Sequence, residues 1–375
     1  MTAMLNRRWL MGGALGGAGV VAGCATTPAA AVAAGETHLP PNLFGPQPGM
    51  ALLSRNENPY GPSPRVQAAV AEATRCGAYY CDTAYLAAMI AEKNAITPAQ
   101  VTLSTGSGEA LSAAALAFGR DGAIVCPSLF WDTTARFAEA KGVQLRRVPL
   151  KADMSIDLEA MEAAIDETTA LVHICNPNNP TGRLLDADAL RAFCTRVSEK
   201  APVLVDEAYN ELTDDPARNS MMDLVRAGKN VIVARTFSKI YGMAGMRIGY
   251  MMSSEVNARR IGAYVMSWMS APSVAAAVAS YNDEAFLNFS KQKVREGREM
   301  AIAGLRAAGL SYLPTEANFI YVNVPDAAAF QRKMAARGVQ IRGPYGALTQ
   351  WSRVSMGKLE DVERYVRAIP EALTA

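Results

Sequence analysis

Between residues 100 and 250, short apolar runs alternate with helix-patterned segments, and this alternation constrains the fold more than any other feature. The strand candidates are Ala123–Cys126, Ala170–Cys175, Pro202–Val205, Val231–Ala234 and Ile248–Met252. The intervening helical patterns are Ser107–Phe118 ending at Gly119, Asp132–Lys141 ending at Gly142, and Asp186–Lys200. Strands that take turns with helices make an α/β fold with a mainly parallel sheet. Helix then predominates from about Glu255 to Gly309. The remainder mixes strands (Phe319–Val324, Val339–Arg342, Arg353–Ser355) with helices (Asp326–Arg337 and Leu359–Ile369, stopping at Pro370), the pattern of a smaller α+β lobe. In open parallel sheets ligands bind beyond the carboxyl ends of the strands. Gly106, Asn179, Asp206 and Lys239 all follow such ends, so four distant segments converge on one rim.

Composition narrows the function classes. Half of the 375 residues are apolar, enough for a large core. Lys plus Arg is 37 against 35 Asp plus Glu, so no charge surplus points to nucleic acid. The two histidines, His38 and His173, and six cysteines without a Cys-x-x-Cys pair argue against a metal site. The chain opens with Arg7-Arg8, a Gly/Ala-rich apolar stretch from Met11 to Ala22, and Val21-Ala22-Gly23-Cys24. This reads as a twin-arginine export signal over 1–23 with a lipoprotein cleavage box. It predicts a protein on the periplasmic side, anchored to the membrane through lipidated Cys24, or cytoplasmic if the leader is not processed. Residues 24–50 would be a flexible leash. Cys76 and Cys81 are close enough in sequence to be bridged, which spacing alone does not establish.

Four short segments carry the chemistry. Thr105-Gly106-Ser107-Gly108 leads into an Ala-rich helix, where backbone N–H groups and the helix dipole favour an anion. Asn176-Pro177-Asn178-Asn179-Pro180-Thr181-Gly182 is a rigid loop with little conformational freedom. Asp206-Glu207-Ala208-Tyr209 follows an apolar strand; Asp206 is either a helix cap or a carboxylate paired with a pyridine nitrogen. Thr236-Phe237-Ser238-Lys239, with Arg247 in Ala244–Gly249, sets an amine beside two hydroxyls and a nearby guanidinium. That set suits an aldehyde next to a phosphate, the two groups that pyridoxal 5'-phosphate combines.

In this order and spacing, the Asn176–Gly182, Asp206–Tyr209, Thr236–Lys239 and Ala244–Gly249 segments resemble a fold-type I pyridoxal-phosphate-dependent aminotransferase of classes I and II, in the branch of histidinol-phosphate aminotransferases. Asn56-Glu57-Asn58-Pro59-Tyr60-Gly61-Pro62 resembles that branch's substrate-side motif. The resemblance implies a seven-stranded-type sheet in a large domain, 76–270, a small domain, 271–375, and an N-terminal segment, 51–75, packed on the latter. It implies a Schiff base on Lys239, which then moves the substrate's Cα proton, with Asp206 on the ring nitrogen and Asn179 and Tyr209 on the phenolic oxygen. Ser107, Gly108, Ser238 and Arg247 would hold the phosphate, with Thr236 a weaker candidate. Tyr80 would reach it from a neighbouring subunit of a homodimer, although Cys81 stands where the family has proline. Arg353 would grip the substrate carboxylate, with Arg342 competing for that role, and Asn58 and Tyr60 would line the substrate side. The family's ring-stacking aromatic falls here on Trp131 or, as the alternative, Phe130. The implied reaction is ping-pong transfer of an amino group between an amino acid or related amine and a 2-oxo acid. A decarboxylase, a carbon–sulfur lyase or a non-catalytic binder of the cofactor are the alternatives on the same scaffold.

Overall fold

The expected sheet forms. The computed structural model describes residues 43–374. Its strands, in chain order, are β1 (Ala51–Leu53), β2 (Val101–Ser104), β3 (Ala123–Pro127), β4 (Leu145–Val148), β5 (Thr169–Cys175), β6 (Val203–Asp206), β7 (Val231–Thr236), β8 (Gly249–Met252), β9 (Phe319–Asn323), β10 (Val339–Ile341) and β11 (Trp351–Ser355). Seven of them make one sheet in the order β2-β8-β7-β6-β5-β3-β4. From β4 to β7 neighbours are parallel, while β8 runs antiparallel to both β7 and β2. Every residue of β6 is buried, as expected of a central strand covered by helices on both faces. Cys175, Asp206 and Ala234 are register partners across β5, β6 and β7, which brings their following loops to one rim.

Two smaller sheets complete the architecture. β1 pairs in parallel with β10, and β9 pairs antiparallel with β11. The long helix Glu284–Ala307 buries Leu287, Ser290, Val294, Gly297, Ala301 and Leu305, a stripe at three- and four-residue spacing. It packs on the last helix, Leu359–Leu373. That helix does not stop before Pro370, contrary to the sequence reading. A proline costs a helix the bond its missing N–H would make one turn back. Burial of Ile369 and Ala372 on the same face outweighs one such bond near the terminus. From Pro46 on, the described residues form one compact unit. Among the described residues no helix is long and apolar enough to cross a membrane. The twin-arginine segment and Cys24 lie outside the described residues. Cys76 and Cys81 are both free thiols.

Candidate active site

A cavity of about 470 Å³ opens on the rim where the strands end. One end of it is built for an anion. The helix Ser107–Gly119 starts from Gly106, whose φ of 81° and lack of a side chain leave the first-turn N–H groups without a side-chain cap. Glu109 steadies this turn: its carboxylate accepts from Thr105 N at 2.7 Å and from Ser267 N at 2.9 Å. A Cβ on Gly106 would lie 2.2 Å from Arg247 Nη2, and one on Gly249 would lie 2.1 Å from Ser107 N. The guanidinium and the β8 backbone therefore press directly on the turn. Ser107, Gly108, Ser238 and Arg247 all line this end of the cavity. Thr236 lines it too, but its Oγ1 donates to Ile248 O at 3.4 Å and accepts from Ser238 N at 3.1 Å, so it shapes the loop.

A buried polar network forms the floor. Lys239 Nζ donates to Asn56 O at 3.2 Å and stands 5.5 Å from the centre of the Tyr209 ring. Tyr209 OH accepts from Asn56 Nδ2 at 3.0 Å and from Asn179 Nδ2 at 3.1 Å. Arg353 Nη1 donates to Asn179 Oδ1 at 2.5 Å and its Nη2 to Ser54 O at 2.7 Å, leaving Nε without a partner. Burial, reinforced by Arg353, draws the Lys239 amine down to about 8, so a usable fraction is the neutral base near neutral pH. Asp206 shows the opposite effect. It is 3% exposed, accepts from Ala208 N at 3.1 Å, and among the described residues forms no ion pair. Its remaining oxygen meets only the Cys175 thiol at 3.9 Å. Burial lifts this carboxyl to about 6. A buried carboxylate without a cation is costly, and a protonated pyridine nitrogen would relieve it. Trp131 and Ala208 add apolar surface to the same cavity. These residues fit pyridoxal 5'-phosphate: an anion cradle, an amine and an uncompensated carboxylate share one wall.

Two predicted residues, Asn58 and Tyr60, do not reach the cavity, and Tyr80, expected at a neighbouring subunit's site, lies outside it. Asn58 is buried and donates through Nδ2 to Ile240 O and Ser290 Oγ, both at 2.9 Å, tying the loop after Lys239 to the long helix. Tyr60 OH accepts from Leu359 N at 3.0 Å, and its ring meets Phe289 edge-on. Both therefore hold the framework, because their segment turns away from the cavity after Glu57. Tyr80 is 86% exposed and rests against Trp268 at 5.0 Å. Trp131 borders Gly108, while Phe130, which also lines the cavity, is buried edge-on against His173. Arg342 reaches the mouth with its guanidinium over Tyr345. Sequence reading missed Asn56, Arg55 and Arg136, which also line it. Asn56 left a signal in its own motif: it takes φ 56°, binds Tyr209, and is locked by Ser355 Oγ at 2.7 Å.

The profile of the class I and II aminotransferases matches residues 48–369. Histidinol-phosphate aminotransferase 1 of Dechloromonas aromatica is 35% identical over 349 residues, covering 90% of this chain and 94% of its own. The histidinol-phosphate aminotransferase of Halalkalibacterium halodurans is 34% identical over 329 residues, 86% of this chain and 88% of its own. Among solved structures, the histidinol-phosphate aminotransferase of Sinorhizobium meliloti in complex with pyridoxal-5'-phosphate has a TM-score of 0.76 at 30% identity, covering 86% of this chain and 90% of its own. The chain belongs to the class I and II aminotransferase family. It is a pyridoxal-phosphate-dependent transaminase, and the lyase and decarboxylase alternatives are not favoured.

Proposed function

We propose that Lys239 carries the proton transfer of this transaminase, on a donor whose anionic group is held by Arg353. The supporting observation is the Lys239 amine on one cavity wall with Asp206, Tyr209 and the Arg353–Asn179 pair. When bound, pyridoxal 5'-phosphate supplies an aldehyde that condenses with amines and a ring that takes up the electron pair left by Cα–H cleavage. Asp206 would keep the ring nitrogen protonated, since it forms no ion pair of its own among the described residues. Tyr209 and Asn179 would hold the phenolic oxygen side, and Ser107, Gly108, Ser238 and Arg247 would hold the phosphate. Arg353 is buried, keeps Nε free, and presents a planar fork to a carboxylate or phosphate. Lys239, as neutral amine, would accept the Cα proton and, once protonated, deliver it on the same face to the carbon that carried the cofactor's aldehyde.

The relatives' names make L-histidinol phosphate a candidate donor beside amino acids such as L-glutamate. A donor panel with stopped-flow absorbance and oxo-product detection separates them. Lys239→Ala should lose the bound-cofactor absorbance typical of a lysine adduct and slow the half-reaction by about 10⁴-fold or more. Retention of both would remove Lys239 from the role. Two further readings belong to the same proposal. The separate small sheets suit a cofactor lobe over 76–270 and a smaller lobe over 271–375. The leader sequence suits export and anchoring at Cys24; Cys24→Ala with unchanged membrane association would sink the anchor.

A further inference from the structure

A second cavity, of about 420 Å³, lies behind the loop that follows Lys239 and shares no residue with the first. Ile240 and Tyr241, directly after the lysine, form part of its wall. Most of its charged groups are already partnered. Lys93 pairs with Glu284 at 3.0 Å, Asp223 with Arg191 at 2.7 Å, and Lys291 donates to the Thr213 and Asp214 carbonyls. Arg226 Nη1 donates to Asn94 O at 3.4 Å. Arg235 is bound on one side only: Nε and Nη2 reach Glu207 at 3.2 and 2.9 Å and Nη2 reaches Ser220 Oγ, while Nη1 makes no bond among the described residues. Glu211 also lines the cavity, and its carboxyl group, raised by burial, meets its own backbone N–H but no group of another described residue. Arg235 is the charge that most offsets its burial, so the two are electrostatic neighbours. The hydroxyl of buried Tyr241 likewise has no hydrogen bond among the described residues.

A guanidinium with one unbonded nitrogen and a carboxyl group that no other described residue bonds, both lining one partly apolar cleft, match a small molecule carrying both opposite charges. We propose that this cavity binds a free α-amino acid as its zwitterion, the carboxylate on Arg235 and the ammonium on Glu211 and Tyr241. Met222, Ile240 and Leu287 give its side chain apolar wall. The site goes beyond the transamination reading and does not depend on it. Its place against Ile240 and Tyr241 makes occupancy a means of adjusting the lysine loop.

The test is calorimetric titration of the borohydride-reduced holoenzyme, which cannot turn over, with L-glutamate, L-phenylalanine and L-histidine. At least one should bind saturably at one site per chain and should bind equally well to the Arg353→Lys protein. Glu211→Gln, isosteric and uncharged, should raise its dissociation constant about tenfold or more, through loss of a charge-assisted bond. Asn288→Phe, at an exposed position on the cavity rim, should block it without touching the buried pairs. Thermal melting checks that both variants are folded. The proposal is overturned if none of the three binds apart from the Arg353 site, or if binding survives both Glu211→Gln and Asn288→Phe unchanged.

Discussion

Asp206 holds a charge that the protein alone does not balance, and this makes its pH behaviour diagnostic. Its folded-state value lies near 6 rather than 3.8, with burial as the leading cause. The folded protein therefore favours the protonated acid. Its contribution to stability is fully present below about 3.8 and is lost as pH rises through about 6. That displacement corresponds to roughly 3 kcal/mol. In the cofactor-free protein, Asp206→Asn should therefore raise stability at pH 7 to 8, and the gain should vanish below pH 4. With cofactor bound the order should reverse, because the carboxylate then has a cation to face. Urea denaturation of both proteins, with and without cofactor, across that range checks the sign; a wild type that outlasts the variant at pH 8 without cofactor contradicts it. A second prediction concerns Asn56, which joins Tyr209, Ser355 and the lysine strap in one network. Asn56→Ala removes buried partners and should cost about 1–3 kcal/mol of stability, read from the denaturation midpoint, together with a shift in the bound cofactor's absorbance. An unchanged midpoint and spectrum would make Asn56 a bystander.

Among the elements, the turn before the helix Ser107–Gly119 is the most exacting. Gly249 on β8 passes so close to Ser107 N that a methyl group has no room. Gly249→Ala should displace the turn, weaken cofactor binding about tenfold or more and destabilise the protein by about 1–3 kcal/mol. Fluorescence titration of cofactor into the variant checks this, and wild-type affinity would show that the turn tolerates the shift. The sheet itself was legible in the sequence because β5, β6 and β7 are built on short apolar runs, such as Val231–Ala234, that end in polar loops, and such runs have few other places to go. The fate of Asn58 and Tyr60 was not legible. Their motif sits on an irregular segment, where one change of backbone direction after Glu57 decides which side chains face the cavity and which face the long helix. Trp131 and Phe130 pose the same problem, since neighbouring residues before the short helix Thr133–Glu139 differ only in which way the chain enters it. Pro370 misled for a plainer reason: its local cost is smaller than the burial of the helix face formed by its neighbours Ile369 and Ala372.

At the scale of the whole molecule, the residues that local reasoning leaves unexplained cluster on one surface. Tyr79, Tyr80, Tyr85, Met266 and Trp268 are all exposed, and the two segments that carry them touch through the Tyr80 and Trp268 rings and through the Cys81 thiol, which donates to Met269 O at 3.2 Å. An apolar patch assembled from distant segments marks an interaction surface. We propose that a second copy of the chain, as the family resemblance implies, covers this patch. The patch is also wired to the cofactor end. Ser267, next to Trp268, donates its N–H to the Glu109 carboxylate that fixes Thr105 in the phosphate turn. Burial of Trp268 against a partner would hold that segment, and through Glu109 the turn itself. Trp268→Glu should therefore yield a monomer by analytical ultracentrifugation at micromolar concentration and, because the segment is released, weaken cofactor binding about tenfold or more. Glu109→Gln should keep the dimer yet weaken the cofactor, since it cuts the link and leaves the patch intact. A Trp268→Glu protein that still sediments as a dimer would move the interface elsewhere. A monomeric variant with wild-type cofactor affinity would leave the interface in place and sever it from the turn.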